Sequence, residues 1–150
     1  MQRSISNQKP LTLLIYVVLF ILYSSLSSIY LFLPPMLSVL FLIFTKALDR
    51  NDTVYIAVIA FLFVIFEANF GYLIFSSIIY FYIIYKFIMP KISQNFSCPL
   101  CIKISYVLLS YIGYFLFLTL ISNIFLLPTP EINYYIIYYI VIEFFLVAIL

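Results

Sequence analysis

The chain has 150 residues, of which 67% are hydrophobic and only 8% are charged, and its formal net charge is +2. No soluble core of this size hides so much apolar surface, so the composition is typical of an integral membrane protein. The chain lacks a dense Lys/Arg cluster, which excludes the electrostatic surface of a nucleic-acid-binding protein.

The apolar segments are continuous and do not alternate with polar residues, which predicts helices. A bilayer offers no water to the backbone, and a helix satisfies its N–H and C=O groups internally. We therefore expect an all-α, polytopic membrane protein with six transmembrane helices, short loops and both termini in the cytoplasm. It would form a single integral membrane domain over residues 1–150. The predicted helices span residues 11–33, 34–48, 54–66, 72–89, 104–127 and 133–150.

The first two helices are predicted to form a tight hairpin. Arg3 and Lys9 precede the first apolar run, as in a signal peptide, but the run continues to Leu33, so we expect an uncleaved helix. Pro34 and Pro35 then end the first helix, and the second begins at once.

Small hydroxyl side chains mark one face of the first helix, at Ser24, Ser27 and Ser28. Such residues allow helices to approach closely and to hydrogen-bond. We interpret this face as a packing seam, with a polar substrate path as the alternative.

The third and fourth helices are predicted to be short and antiparallel. As one helix, residues 54–89 would be roughly 54 Å long, far more than a bilayer core of about 30 Å. The turn falls at Glu67 to Gly71, because Asn69 and Gly71 tolerate the left-handed backbone that ends a helix. We expect Glu67 to be solvated at this hairpin tip. A re-entrant segment at residues 54–66, in place of a full span, is the alternative interpretation.

The distribution of basic residues supports six crossings, since Lys and Arg are retained in cytoplasmic loops. The outer connections at Pro34-Pro35, at 67–71 and at 128–131 contain none. With five crossings, the loop that contains Lys46 and Arg50 and the loop that contains Lys86, Lys91 and Lys103 would lie on opposite sides of the membrane. With six crossings, these residues all lie inside: Arg3, Lys9, Lys46, Arg50, Lys86, Lys91 and Lys103.

Cys98 and Cys101 form the sharpest short motif, Cys98-Pro99-Leu100-Cys101. Two cysteines at this spacing before a helix are compatible with a redox pair or with half of a metal site. The chain has no His and no other Cys, so an intrachain zinc site is not expected, while one shared between chains stays open. In the reducing cytoplasm a disulfide would not persist, and a structural role is the main expectation.

The segment 97–102 resembles the CPLC stretch of DsbB-type quinone-linked disulfide oxidases. The second cysteine pair of that family and the Arg that follows closely are absent. No other nucleophile and base pair, phosphate loop or zincin helix is present. We therefore expect that the protein is not an enzyme and that it has no catalytic residue, no cofactor and no bound metal.

Glu143 lies inside the last apolar segment, between Tyr139 and Phe144. A carboxylate at this depth must face a partner group, water or another chain. Pairing with Tyr hydroxyls or protonation is one interpretation, and a functional contact is the other.

The order of elements resembles the rod-shape-determining MreD family over nearly the whole chain. In that family the first helix ends in Ser or Thr and Leu residues, a short connection contains Pro, and the second helix is closed by a basic residue. Residues 23–50 of this chain follow the same order. The family then has a short helix that ends in an acidic residue, a Gly a few positions later and a helix closed by basic residues. Residues 61–86 follow this order, with one basic residue, Lys86, at the end. This chain departs from the family at Ala57 and Ala60, where glycines are usual, and at Met36, where Asp is common.

The resemblance implies a non-enzymatic subunit of the bacterial inner membrane. It would work with an MreC-like protein and other cell-wall elongation proteins, in contact with membrane lipids and with no nucleic acid. Glu67, Gly71 and Glu143 are the candidate partner contacts.

Two other classes stay open. One is the substrate-binding subunit of an energy-coupling-factor vitamin transporter, which also has six short helices. Those subunits resemble each other in Ala-x-x-x-Ala motifs on the first helix. In this chain the segment 11–33 contains no Ala. The other is a DsbB-like membrane thiol oxidoreductase that uses Cys98 and Cys101.

Overall fold

A computed structural model describes residues 8–130 and 133–150, and over these ranges the chain is helical with no strand. The predicted all-α class and the count of six helices are confirmed for this part of the chain. Arg3 and the last residue of the outer connection 128–131 lie outside the described residues. The helices are α1 Gln8–Ile29, α2 Leu37–Arg50, α3 Thr53–Phe70, α4 76–95, α5 Pro99–Phe125 and α6 Tyr135–Ile149.

The hairpin between α1 and α2 begins earlier than predicted, because α1 ends at Ile29 and not at Leu33. Two prolines in succession cannot donate backbone hydrogen bonds and disfavour helix in the residue before them. Side chains of α1 hold the connection instead. Ser27 Oγ donates to the Leu33 carbonyl at 2.8 Å, and the Tyr23 hydroxyl donates to the Pro34 carbonyl at 2.7 Å.

Helix α4 is not interrupted where its apolar run stops, so the predicted end at residue 89 is wrong. Its regular parts, Ser76–Ile83 and Met89–Asn95, are joined by a π-helical turn at Ile84–Ile88. In this turn the Met89 N–H donates to the Ile84 carbonyl. Pro90 has no N–H and would break a regular helix, and the wider turn before it lets the helix continue.

Helix α5 begins at Pro99 and not at residue 104. Proline is favoured at the first helical position, where its missing N–H has no intrahelical partner to lose. A second π-helical turn at Leu109–Gly113 interrupts α5 and gives the Leu109 carbonyl two donors, the Tyr114 N–H and the Tyr80 hydroxyl at 2.7 Å. Gly113 lies directly against that hydroxyl, which a Cβ atom would overlap.

Helix α2 is the central helix, packed against α3, α5 and α6, while α1 packs mainly on α3. The middle of the core is aromatic. Phe41, Phe63 and Phe81 are fully buried, and the Phe81 ring stacks on Phe41 at 4.6 Å and on Phe63 at 5.1 Å between centroids. Stacked rings add to the free energy of burying their area.

The connections α1–α2, α3–α4 and α5–α6 meet at one end of the bundle, here called the upper end, because residues from all three line a common cavity. Polar contacts at the opposite, lower end join α4 to α2 and α5 to α6. The Tyr85 hydroxyl donates to Asp49 at 2.6 Å, and Lys103 Nζ donates to the Ala148 carbonyl at 2.8 Å.

The outside of the bundle carries large apolar side chains in unusual number, including Tyr16, Ile124 and Ile149, each more than 65% exposed. Two helices, Thr53–Phe70 and Pro99–Phe125, are long and apolar enough to cross a membrane. The helical segments Leu13–Ile29 and Tyr135–Ile149 are apolar but shorter.

Candidate functional site

Glu143 lies in the middle of α6 and has no exposed surface. Its carboxylate accepts hydrogen bonds from the first backbone N–H groups of α2, at 3.1 Å from Leu37 and 2.8 Å from Ser38. The hydroxyls of Ser38 and Tyr111 also donate to it. Each carboxylate oxygen therefore has two donors, and all four donors are neutral.

Glu67 occupies an equivalent position against α4, and it is also fully buried. Its carboxylate accepts the backbone N–H of Phe75 at 2.7 Å, that of Ser77 at 2.5 Å and the Ser76 hydroxyl at 3.1 Å. The hydroxyls of Ser76 and Ser77 each lie 2.9 Å from the Tyr114 hydroxyl, which extends the network to α5.

Both carboxylates perform the task of a missing N-cap. The first N–H groups of a helix have no intrahelical acceptor, and a negative group at this end also complements the helix dipole. Neither α2 nor α4 receives a hydrogen bond from its own N-cap side chain. Both are entered through a residue in left-handed conformation, Met36 at φ 55° and Phe75 at φ 71°. In each case a glutamate from another helix supplies the cap.

The expectation that Glu67 is solvated at a hairpin tip is wrong. Helix α3 continues to Phe70, so Glu67 lies one turn inside the helix, and its carboxylate turns inward to α4. The turn itself is where the sequence predicts it, because Gly71 adopts φ 70° and ends α3. Gly71 is exposed, so among the three candidate partner contacts it alone lies on the surface.

Glu143 was expected to meet Tyr hydroxyls or a functional partner. The structure provides Tyr111 as one donor, together with backbone groups and Ser38 that the sequence did not indicate. Since Glu67 and Glu143 are enclosed by their own chain, a partner would contact the residues around them and not their carboxylates. That contact stays a prediction.

Sequence reasoning missed the serines and tyrosines of the two networks. Ser38, Ser76 and Ser77 lie in the first turns of α2 and α4, where serine is common because its hydroxyl satisfies free backbone groups. That preference could have marked the helix starts. No local signal identifies Tyr111 or Tyr114 among the 15 tyrosines of the chain.

The serine face of α1 packs on α3, as the seam interpretation predicts for two of its three members. Ser24 and Ser27 are buried, and Ser24 accepts a hydrogen bond from Asn69 Nδ2 at 3.0 Å. Ser28 is exposed, and its hydroxyl donates to the Ser25 carbonyl at 2.8 Å. The prediction that Ser28 belongs to the buried face is wrong.

Two neighbouring cavities open at the upper end. The larger, of about 490 Å³, lies between the α3–α4 and α5–α6 connections. The smaller, of about 240 Å³, lies deeper, between α3, α5, α6 and the α1–α2 connection. Phe70, Tyr72 and Leu118 line both. Small-molecule sites are usually concave, apolar and of this general size.

Cys98 and Cys101 lie far from these networks, at the start of α5. Cys98 is the exposed N-cap residue, Cys101 is half-buried, and neither forms a disulfide. The Cys101 thiol and the backbone N–H groups of Cys101 and Leu100 lower the pKa of Cys98, because they hydrogen-bond to its thiolate. Within 8–130 and 133–150 no cluster of three or more metal-ligating side chains occurs.

We predict that Cys98 is the more reactive thiol. Its lowered pKa increases the thiolate fraction near neutral pH, so its alkylation should reach half its maximal rate at a lower pH than that of an ordinary thiol. Substituting Cys101→Ala removes one donor and should move this profile to higher pH. Mass spectrometry after timed iodoacetamide labelling measures the rate of alkylation against pH for the wild type, Cys98→Ser and Cys101→Ala. Identical pH profiles for Cys98 with and without Cys101 would contradict the prediction.

No protein-family model matches the chain, and no curated protein or solved structure is significantly similar to it. The geometry of the site is therefore the basis for interpretation. Glu67 accepts three hydrogen bonds and Glu143 accepts four, which suits each carboxyl group to hold two helices together.

Proposed function

We propose that the chain is a multi-pass protein of the bacterial inner membrane, with six spans and both termini in the cytoplasm. The apolar exterior and the two helices of sufficient length support a membrane location. Helices α2 and α6, of 14 and 15 residues, are short for a bilayer. Because α2 is enclosed by other helices, it need not match the lipid thickness, and local thinning accommodates α6.

The orientation follows from one observation, the separation of charge between the two ends. The connections of the upper end contain no Lys or Arg within the described residues, whereas α2 ends at Arg50 and Lys103 lies near the lower end of α6. Basic residues are retained on the cytoplasmic side. The upper end, with both carboxylate networks, would then face the periplasm.

Within this topology we propose a non-enzymatic, MreD-like role, in which the chain organises the cell-wall elongation machinery together with an MreC-like protein. Supporting this role, the carboxylate caps fix the connections of the upper end, and these connections present apolar side chains outward. Phe32, Ile74 and Leu126 are all more than 50% exposed there. A rigid end with exposed apolar residues is suited to binding another protein.

The topology predicts opposite labelling of the two ends. In spheroplasts, a membrane-impermeant maleimide should label a cysteine introduced by Thr129→Cys in a Cys98→Ser, Cys101→Ser background. Native Cys98 should react only after permeabilisation, because it lies near the lower end. Labelling of Cys98 from outside would contradict the orientation and would restore disulfide chemistry as a function for Cys98 and Cys101.

The MreD-like role predicts loss of rod shape when the chain is depleted in its native host, together with loss of a cell-wall elongation protein from the affinity-purified complex. Ile74→Asn, on the upper end, should reduce recovery of that partner about tenfold, as for a residue important to an interface. Val54→Asn, on an exposed residue at the start of α3, is the matched control and should leave recovery unchanged. Normal shape after depletion would contradict the role.

The two cavities favour a second candidate, a substrate-binding subunit of a vitamin transporter. Their position at the upper end is where an external ligand would enter in the proposed orientation. Mass spectrometry of small molecules released from the purified protein separates the candidates, since a stoichiometric vitamin and a co-purified transporter ATPase would favour the second.

A further inference from the structure

The smaller cavity of the upper end, called the aromatic cavity below, has an unusual lining. Half of the residues that line it are aromatic, against 21% of the chain. They come from α3, α5, α6 and the α3–α4 connection and include Phe66, Tyr72, Tyr111, Tyr114 and Tyr139. The enrichment exceeds what composition alone supplies, so several aromatic rings border one small space.

The aromatic cavity lies between the two carboxylate networks. Tyr111 lines it and donates its hydroxyl to Glu143. Tyr114 lines it one turn further along α5 and shares a hydrogen bond with Ser76, which in turn donates to Glu67. Both glutamates are thus connected to the lining by a tyrosine.

Basic side chains are absent from the lining of this region. Both carboxyl groups accept hydrogen bonds from backbone N–H groups and hydroxyls and from no Lys or Arg. No Lys or Arg lines the aromatic cavity. The rings of the cavity therefore face a space that holds no competing cation of the protein itself.

We propose that the aromatic cavity binds a small organic cation, with a quaternary ammonium group as the preferred chemistry. Ring faces attract cations through the quadrupole of the aromatic ring, and a cage of several rings is the usual way in which proteins recognise methylated ammonium groups. No Lys or Arg of the lining opposes this attraction. The site goes beyond either proposed function and does not depend on which of them holds.

Other ligand classes fit the cavity less well. A metal ion needs oxygen, nitrogen or sulfur ligands, and the carboxyl groups of Glu67 and Glu143 already accept helix N–H and hydroxyl groups and do not line the cavity. An anion would find no Lys or Arg in the lining. The larger cavity, which shares Phe70, Tyr72 and Leu118 with the aromatic cavity, gives room for the remainder of a ligand whose ammonium group is caged below it.

The decisive experiment compares choline with its neutral carbon isostere, in which a tert-butyl group replaces trimethylammonium. Both are titrated by calorimetry into the intact protein in detergent, with sodium chloride holding the ionic strength equal. We expect choline to bind at least about tenfold more tightly than the isostere, because only the cation gains from the faces of the rings. Equal binding of the two, or binding of neither, would overturn the proposal.

Tyr72 provides a matched pair of variants, since it lines both cavities and makes no side-chain hydrogen bond within the described part of the chain. Tyr72→Phe keeps the ring and should bind choline within about twofold of the wild type, whereas Tyr72→Leu should weaken binding about tenfold. Unchanged binding by a folded Tyr72→Leu would count against the cage. Should this variant not fold, the choline and isostere comparison on the wild type still decides.

The cation has two plausible sources, a free metabolite or the headgroup of a phosphatidylcholine lipid. Repeating the choline titration in nanodiscs of phosphatidylcholine and of phosphatidylglycerol separates them. Equal affinity in both supports a free cation, and weaker apparent affinity in phosphatidylcholine supports competition by the headgroup.

Discussion

Substituting Glu143→Leu is expected to lower the free energy of unfolding by roughly 3 kcal/mol or more. The side chain is fully buried, and its removal leaves four donors without an acceptor: the N–H groups of Leu37 and Ser38 and the hydroxyls of Ser38 and Tyr111. Each buried donor left unsatisfied costs about 1–3 kcal/mol, and partial relaxation keeps the total below the sum. The helix dipole of α2 also loses its complement.

Thermal and denaturant unfolding of the purified protein in detergent measures this effect. Asp52→Leu is the matched control, because Asp52 is an acidic residue beside the first turn of α3 but is exposed and makes no capping hydrogen bond. Its effect should stay within about 0.5 kcal/mol. Equal stabilities of the two variants would show that the Glu143 network contributes nothing to the fold.

Substituting Gly113→Ala is expected to destabilise the protein by about 1–3 kcal/mol, the usual effect of forcing an atom into a packed site. The new Cβ would overlap the Tyr80 hydroxyl, which is held in place by its hydrogen bond to the Leu109 carbonyl. Helix propensity alone predicts the opposite sign, since alanine stabilises a helix interior by about 0.5–1 kcal/mol relative to glycine. The sign of the measured change therefore tests the packing directly.

A double-mutant cycle with Tyr80→Phe completes the test of Gly113. Removing the hydroxyl costs about 1 kcal/mol for the lost hydrogen bond but makes room for the Cβ. The two substitutions together should therefore destabilise the protein by less than the sum of their separate effects. Additive effects would contradict the contact.

The sequence predicts the helices because each apolar segment is long and is bounded by Pro, Gly or charged residues, and these signals are local. It mispredicts several ends for reasons that lie elsewhere in the chain. Helix α4 begins at Ser76 because Glu67 holds the N–H groups of its first turn, and it continues past Pro90 because a π-helical turn precedes that residue.

The candidate site could be predicted only in part. An acidic residue inside an apolar segment is conspicuous, so Glu143 was identified from sequence, but Ser38 lies 105 residues away from it and nothing local connects them. For Glu67 the nearby turn predicts a solvated side chain, although the residues before it are apolar. The spacing of apolar residues along a helix predicts which face is buried. It does not predict which residues of other helices contact that face.

The cap on α2 has a consequence for biosynthesis. A ribosome completes α2 long before it reaches Glu143, so the N–H groups of Leu37 and Ser38 lack their final acceptor until the last helix has inserted. In the membrane topology proposed above, such groups would be costly to leave open. A nascent chain halted before residue 143 would thus carry a second helix whose first N–H groups lack this acceptor, and it would be less stable than the finished chain.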